Sequence, residues 1–168
     1  MGFGTLQRNR YPVNVITSRY YYTGKLEPKG PFGIWMNDVQ FTAIALLELN
    51  GAAFDAGSRI DTIARDELLL PKVDIVAVDL LSAEARQTVS YLRSVQKAVF
   101  YTERFVFNAS VATTAETRMD QLLDMIKGDF FPLLNVEMFP LHAVRPQVFR
   151  TSEMVLLNRA RVTSYHGL

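Results

Sequence analysis

Most of the chain alternates with the short period of β-structure, and a helical period surfaces only in brief stretches. Val13–Leu26 is rich in Val, Ile, Thr and Tyr, side chains that fit a pleated surface. Within it Tyr20 and Tyr22 share one face and Tyr21 takes the other, because successive strand residues point to opposite sides. Further strands are predicted over Phe41–Leu49, Glu67–Leu70, Val73–Leu80, Phe130–Met138, Val148–Leu157 and Ala160–Tyr165. Turn residues separate them at Asn50-Gly51, Ala56-Gly57-Ser58, Pro71-Lys72 and Asn158-Arg159.

Three segments read as helix. Pro31 stands at a first helical position, Phe32, Trp35 and Met36 form an apolar face, and Asn37 ends it. Thr113-Thr114-Ala115-Glu116 has the form of a capping box, followed by Met119, Leu122, Leu123 and Ile126 on one stripe and by Gly128 as a stop. Ser82–Lys97 contains no Pro or Gly and places Ala85, Val89, Leu92 and Val95 or Gln96 at helical spacing, which predicts a connecting helix.

These elements recur in order. Thr17–Leu26 matches Thr102–Val111 at an offset of 85, Phe41–Leu49 matches Phe130–Met138 at 89, and Leu69–Val76 matches Leu156–Thr163 at 87. The four residues gained between the first two blocks equal about one helical turn, and the longer helix lies in the second copy. The predicted fold class is therefore α+β, mainly β. An internal duplication of a strand-helix-strand-strand-strand unit spans residues 1–81 and 98–168, with the connecting helix over 82–97. A unit of roughly 70 residues is marginal alone, so a shared core is expected.

The run Tyr22-Thr23-Gly24-Lys25-Leu26-Glu27, then Phe41–Leu49, then Leu69–Val78, resembles the strand order of Sm-like small barrels. The nucleotide-binding motifs of that family, Asp-x-x-Met-Asn and an Arg-Gly turn, are absent, since Pro71-Lys72 and Asn158-Arg159 occupy the turn. The pattern also resembles short uncharacterised bacterial domains with an Arg-aromatic first strand, a small helix and a Phe-x-x-Leu strand. Neither resemblance supplies a catalytic residue.

Composition narrows the chemistry. Of 168 residues, 49% are apolar and 21% charged, the balance of a packed protein, and the net charge of +1 weakens any argument for a dedicated polyanion binder. With no cysteine there is no disulfide, thiolate metal site or cysteine nucleophile, which fits a reducing cytosol and equally any compartment where no disulfide is needed. A cytoplasmic location is expected instead because Met1–Val15 lacks the apolar run of a signal peptide and no apolar stretch approaches the length that crosses a bilayer. His142 and His166 are too far apart in sequence for a local metal pair. Neither a serine-nucleophile motif nor a phosphate-binding glycine loop occurs.

The charges suggest structure instead. Asp74 aligns with Arg161, a swap that predicts a salt link between copies or between neighbouring molecules. Glu48 and Glu137 match, as do Arg19 and Arg104, which predicts an ion pair in each copy. The expected function is a non-enzymatic interaction or scaffold protein that forms homo-oligomers, with no catalytic residue, cofactor or metal. Its interaction surface is expected around Trp35, Tyr21, Arg159, Arg161 and Asp74. Two alternatives stand beside it. One is a tandem Sm-like nucleic-acid binder using Arg159 and Arg161; the other is a small-ligand or nucleotide-binding regulatory module with a groove near Trp35 and Tyr21.

Overall fold

In the computed structural model, which describes residues 8–114 and 116–168, ten strands join one antiparallel sheet. They are β1 (Tyr11–Thr17), β2 (Tyr20–Leu26), β3 (Ala43–Ala53), β4 (Thr62–Pro71), β5 (Ile75–Leu80), β6 (Val95–Tyr101), β7 (Phe105–Ala112), β8 (Phe130–Pro140), β9 (Thr151–Asn158) and β10 (Ser164–Gly167). The sheet order is β10-β6-β7-β8-β9-β5-β1-β2-β3-β4. Helices are minor: α1 (Phe32–Met36), α2 (Ala83–Gln87), α3 (Leu122–Met125) and short 3₁₀ turns at Lys72–Asp74 and Arg159–Arg161. No helix among the described residues is long and apolar enough to cross a membrane.

This corrects the expected fold class. The molecule is mainly β, and one continuous sheet replaces two small barrels joined by a connecting helix. Of Ser82–Lys97 only Ala83–Gln87 is helical. The Ser82 hydroxyl caps it by accepting from Ala85 N at 3.1 Å. Thr88 closes it, donating to Ala85 O at 2.8 Å and accepting from Phe32 N at 2.9 Å. Beyond that point Val95–Tyr101 pairs with β7 on one side and β10 on the other. Two ladders of backbone hydrogen bonds outweigh a weak helical preference, and Leu92 and Val95, the expected inner stripe, are exposed.

Other boundaries shift for local reasons. Val13–Leu26 is a hairpin, not one strand, because Thr17 turns the chain: its hydroxyl donates to Tyr20 O and accepts from Tyr20 N, both at 3.1 Å. Asn50-Gly51 lies inside β3 and makes no turn. Gly51 is there because a Cβ would sit 2.5 Å from the Tyr22 ring, so the glycine admits the aromatic rather than bending the backbone. The expected Thr113 capping box involves Ala115, outside the described residues, and the helix after it is only a 3₁₀ turn (Met119–Gln121) running into α3.

Element by element, β1–β5 and β6–β10 carry the same plan. The Thr17 turn recurs at Thr102, whose hydroxyl donates to Phe105 O at 2.9 Å. The pairing Val15↔Tyr22 and Val15↔Val78 recurs as Phe100↔Phe107 and Phe100↔Tyr165. Leu47↔Glu67 recurs as Leu134↔Met154. Both long strands bulge at a left-handed residue, Glu48 (φ 48°) in β3 and Asn135 (φ 49°) in β8. Thus Glu48 corresponds to Asn135, not Glu137. Against these registers, matching Phe41–Leu49 to Phe130–Met138 is two residues out of step, a shift that a period-two pattern cannot detect.

Two hydrophobic cores result, and each borrows from the other half. The first gathers Val13, Val15, Leu26, Phe32, Leu46 and Val78, together with Phe130, Met154 and Leu156 from the second half. The second gathers Phe100, Phe105, Phe107 and Leu133, together with Ile16, Tyr21, Phe54, Val76 and Ala77 from the first. β5 is buried along its whole length and feeds both.

Candidate interaction edges

The joint between the halves is an antiparallel pairing of β5 with β9: Ala77↔Leu157, Val78↔Leu156 and Asp79↔Val155. Leu156 is 1% exposed and enters the first core. Polar ties flank this short ladder. Arg104 Nε donates to Ser18 O at 2.9 Å, and its two terminal nitrogens grip Asp55 at 2.8 and 2.7 Å while the guanidinium lies 5.4 Å from the Phe54 ring centroid. Bidentate geometry of this kind fixes orientation as well as charge. The hydrogen bond from Arg104 holds the Asp55 carboxyl below its ordinary range. Arg161 Nε donates to Val73 O at 2.8 Å, and its Nη2 lies 3.3 Å from Asp74 Oδ1. Asn158 Nδ2 donates to Ile75 O at 2.8 Å.

A buried carboxylate sits in the same joint. Asp79, 1% exposed, accepts from Asn14 Nδ2 at 3.0 Å and from the Ser152 hydroxyl. Burial pushes its pKa up from 3.8, and the hydrogen bonds from Ser152 and Asn14 offset part of that rise. The trio ties β1, β5 and β9 together. An acid interrupting the apolar run Ile75–Leu80 is the sequence signal for it, since such runs are buried on both faces. Tyr21, in the second core, has its pKa pushed up to about 12, by burial first.

The sheet ends on two edges that pair with nothing among the described residues, β4 at one end and β10 at the other. β4 carries Arg65, Asp66 and Glu67, all exposed, and then Leu68-Leu69-Leu70. Leu69 is 64% exposed although it matches Leu156 across the halves.

The expected surface residues scatter over this framework. Arg161 and Asp74 do meet, as the charge swap suggested. Arg159 turns inward to cap α3, donating to Ile126 O at 2.9 Å, with Asp129 3.8 Å away. Trp35 is half-buried, edge-on to Phe32 at 5.8 Å against the first core, whereas Tyr21 belongs to the second. The expected Glu–Arg pairs do not form: Glu48 binds Lys25 at 2.8 Å, Arg104 binds Asp55, and Arg19 and Glu137 are exposed. His166 lies 3.2 Å from the Tyr101 hydroxyl. Among the described residues no three His, Asp or Glu side chains gather as a metal site.

An apolar cleft of about 590 Å³ opens beside α3, lined by Tyr91, Leu92, Thr113, Leu122, Met125 and Phe131. The buried Thr113 hydroxyl has no hydrogen-bond partner among the described residues. Sequence reasoning missed this cleft because it read Tyr91 and Leu92 as part of a helix. Comparison with protein-family models, with curated proteins and with solved structures finds no match, so function must be read from the chain itself.

Proposed function

We propose that the chain is a non-enzymatic interaction or scaffold protein, built by internal duplication of one strand-rich unit and acting through the ends of its sheet. The observation that carries this reading is the open β4 edge, where Leu69 stands 64% exposed on a strand whose outer side pairs with no other strand among the described residues. Such an edge is a template for another strand. The matching registers and paired left-handed bulges support the duplication. Lack of cysteine suits a reducing cytoplasm. Arg159 and Arg161 are engaged by carbonyls and carboxylates, which leaves little guanidinium for phosphate.

Size-exclusion chromatography with light scattering, recorded with the ultraviolet ratio that reports nucleic acid, tests the reading. Nucleic-acid-free protein that self-associates or forms a stoichiometric complex with a second protein is the expected result. Co-purified nucleic acid that dissociates with rising salt and with Arg159→Ala/Arg161→Ala would overturn it in favour of a nucleic-acid binder.

A further inference from the structure

Resting on that reading, we infer that the partner is a second copy of this chain. β10 of one molecule pairs antiparallel with β4 of the next and repeats the β5–β9 joint that already exists inside each molecule.

The argument begins with register. Because β10 matches β5 and β4 matches β9, the internal pairs Ala77↔Leu157, Val78↔Leu156 and Asp79↔Val155 translate into Ser164 opposite Leu70, Tyr165 opposite Leu69, and His166 opposite Leu68 of the neighbour. In the internal joint Leu156 passes from the sheet into the adjoining core. Leu69 is the same residue type in the same place with no core to enter. The neighbour offers one: Tyr165 stacks on Phe100 at 5.8 Å and packs against the second core from its rim. Charged residues take over where the ladder would stop, Glu67 standing in place of Met154 and Arg65 in place of Ser152. The apolar stretch of β4 is thereby confined to the three residues that pair, with Leu69 against Tyr165 as the apolar contact.

Charge supplies a second line. Arg104 reaches across the internal joint to the turn at Ser18 and to Asp55. Its counterpart Arg19 is exposed on the β4-bearing half, and the turn it would reach on the next molecule carries the exposed Glu103 in place of Ser18. The outer contact of Arg19 with Glu103 thus brings opposite signs together after the halves exchange roles, whereas Arg161 and Asp74 are already paired within each molecule. The buried Asp79 trio is not repeated, as His166 occupies its place.

Such a contact joins two different surfaces, so it propagates head to tail into a closed ring or a filament and does not stop at a two-fold dimer. The test uses the absence of native cysteine. Neighbouring pairs in an antiparallel ladder alternate between about 4.5 and 5.5 Å in Cα separation, both within reach of a disulfide. Leu69→Cys/Tyr165→Cys and Leu68→Cys/His166→Cys are oxidised in separate samples. The expected result is a ladder of intermolecular multiples for at least one double variant, none for any single variant, and a wild-type mass that is a multiple of 19.0 kDa. Leu69→Lys, exposed and outside both cores, should return the mass to 19.0 kDa with an unchanged circular dichroism spectrum. If the wild type is larger but both pairs stay unlinked and Leu69→Lys leaves the mass unchanged, edge pairing is wrong although self-association stands. If the wild type keeps its monomer mass throughout a concentration series, the inference is overturned while a scaffold acting on another protein survives.

Discussion

Leu156 and Leu69 occupy matching places in β9 and β4, yet one is sealed and the other is bare, so truncating each measures what the internal joint contributes. Leu156 is 1% exposed within the first core. Leu156→Ala removes buried methyl groups and leaves a cavity that strands on both sides restrain from collapsing, which costs about 2–5 kcal/mol. For a domain of this length, a loss of 3 kcal/mol lowers Tm by about 6–12 °C. Leu69 is 64% exposed, so only about a third of its transfer energy is at stake in one molecule. That is about 0.5–1 kcal/mol with no cavity term. Urea denaturation of both variants, at concentrations below assembly, gives the comparison. Equal losses, or a loss below about 1 kcal/mol for Leu156→Ala, would show that β9 does not seal the first core, and the shared-core description would fail.

Gly51→Ala should destabilise the protein by about 1–3 kcal/mol in denaturant melts, because the new Cβ must displace the Tyr22 ring. Tyr21 and Tyr22 each have pKa values pushed up to about 12 from 10.0, chiefly by burial. Their protonated forms are favoured by folding, so stability is full below pH 10 and declines as pH rises toward 12. Phenolate absorbance should show these two tyrosines titrating late, together with unfolding; ionisation of all seven tyrosines at ordinary pH in the native state would contradict this. Asp79 also has a raised pKa, so its contribution is fullest below pH 3.8 and falls as pH climbs through the raised value. Asp79→Asn should remove that decline, seen as a difference from the parent across a pH series of melts. The difference is needed because Asp55 and Glu48 are shifted the other way by Arg104 and Lys25.

Local pattern carried much of this architecture and missed what depends on pairing. α1 lies between Pro31 and Asn37 as the residues imply, because its limits are set by backbone chemistry within a few positions. The β3 and β8 strands were visible as alternation, but their mutual register was not, since sliding by two residues preserves every apolar match. The helix over Ser82–Lys97 failed because the hydrogen bonds that hold β6 come from Phe105–Ala112 and Ser164–Gly167, nowhere near it in sequence. Of the interaction surface, the Asp74–Arg161 swap was legible from charge alone. Arg104 with Asp55 was not, as the loop bearing Asp55 has a counterpart of different length and composition.

The exchange of side chains between cores has a consequence for how the chain is made. The first core waits for Phe130, Met154 and Leu156, so residues through Leu80 leave the ribosome with an unfinished interior and an uncovered β5. At about 5–20 residues per second, β9 follows roughly 4–16 s later. Throughout that interval the exposed β5 could be met by the β9 or β4 of another nascent chain, and an exchange at this point would yield intertwined molecules in place of separate ones. Slow translation or a pause before Thr151 should therefore lower the yield of native protein more than the same pause placed after Asn158.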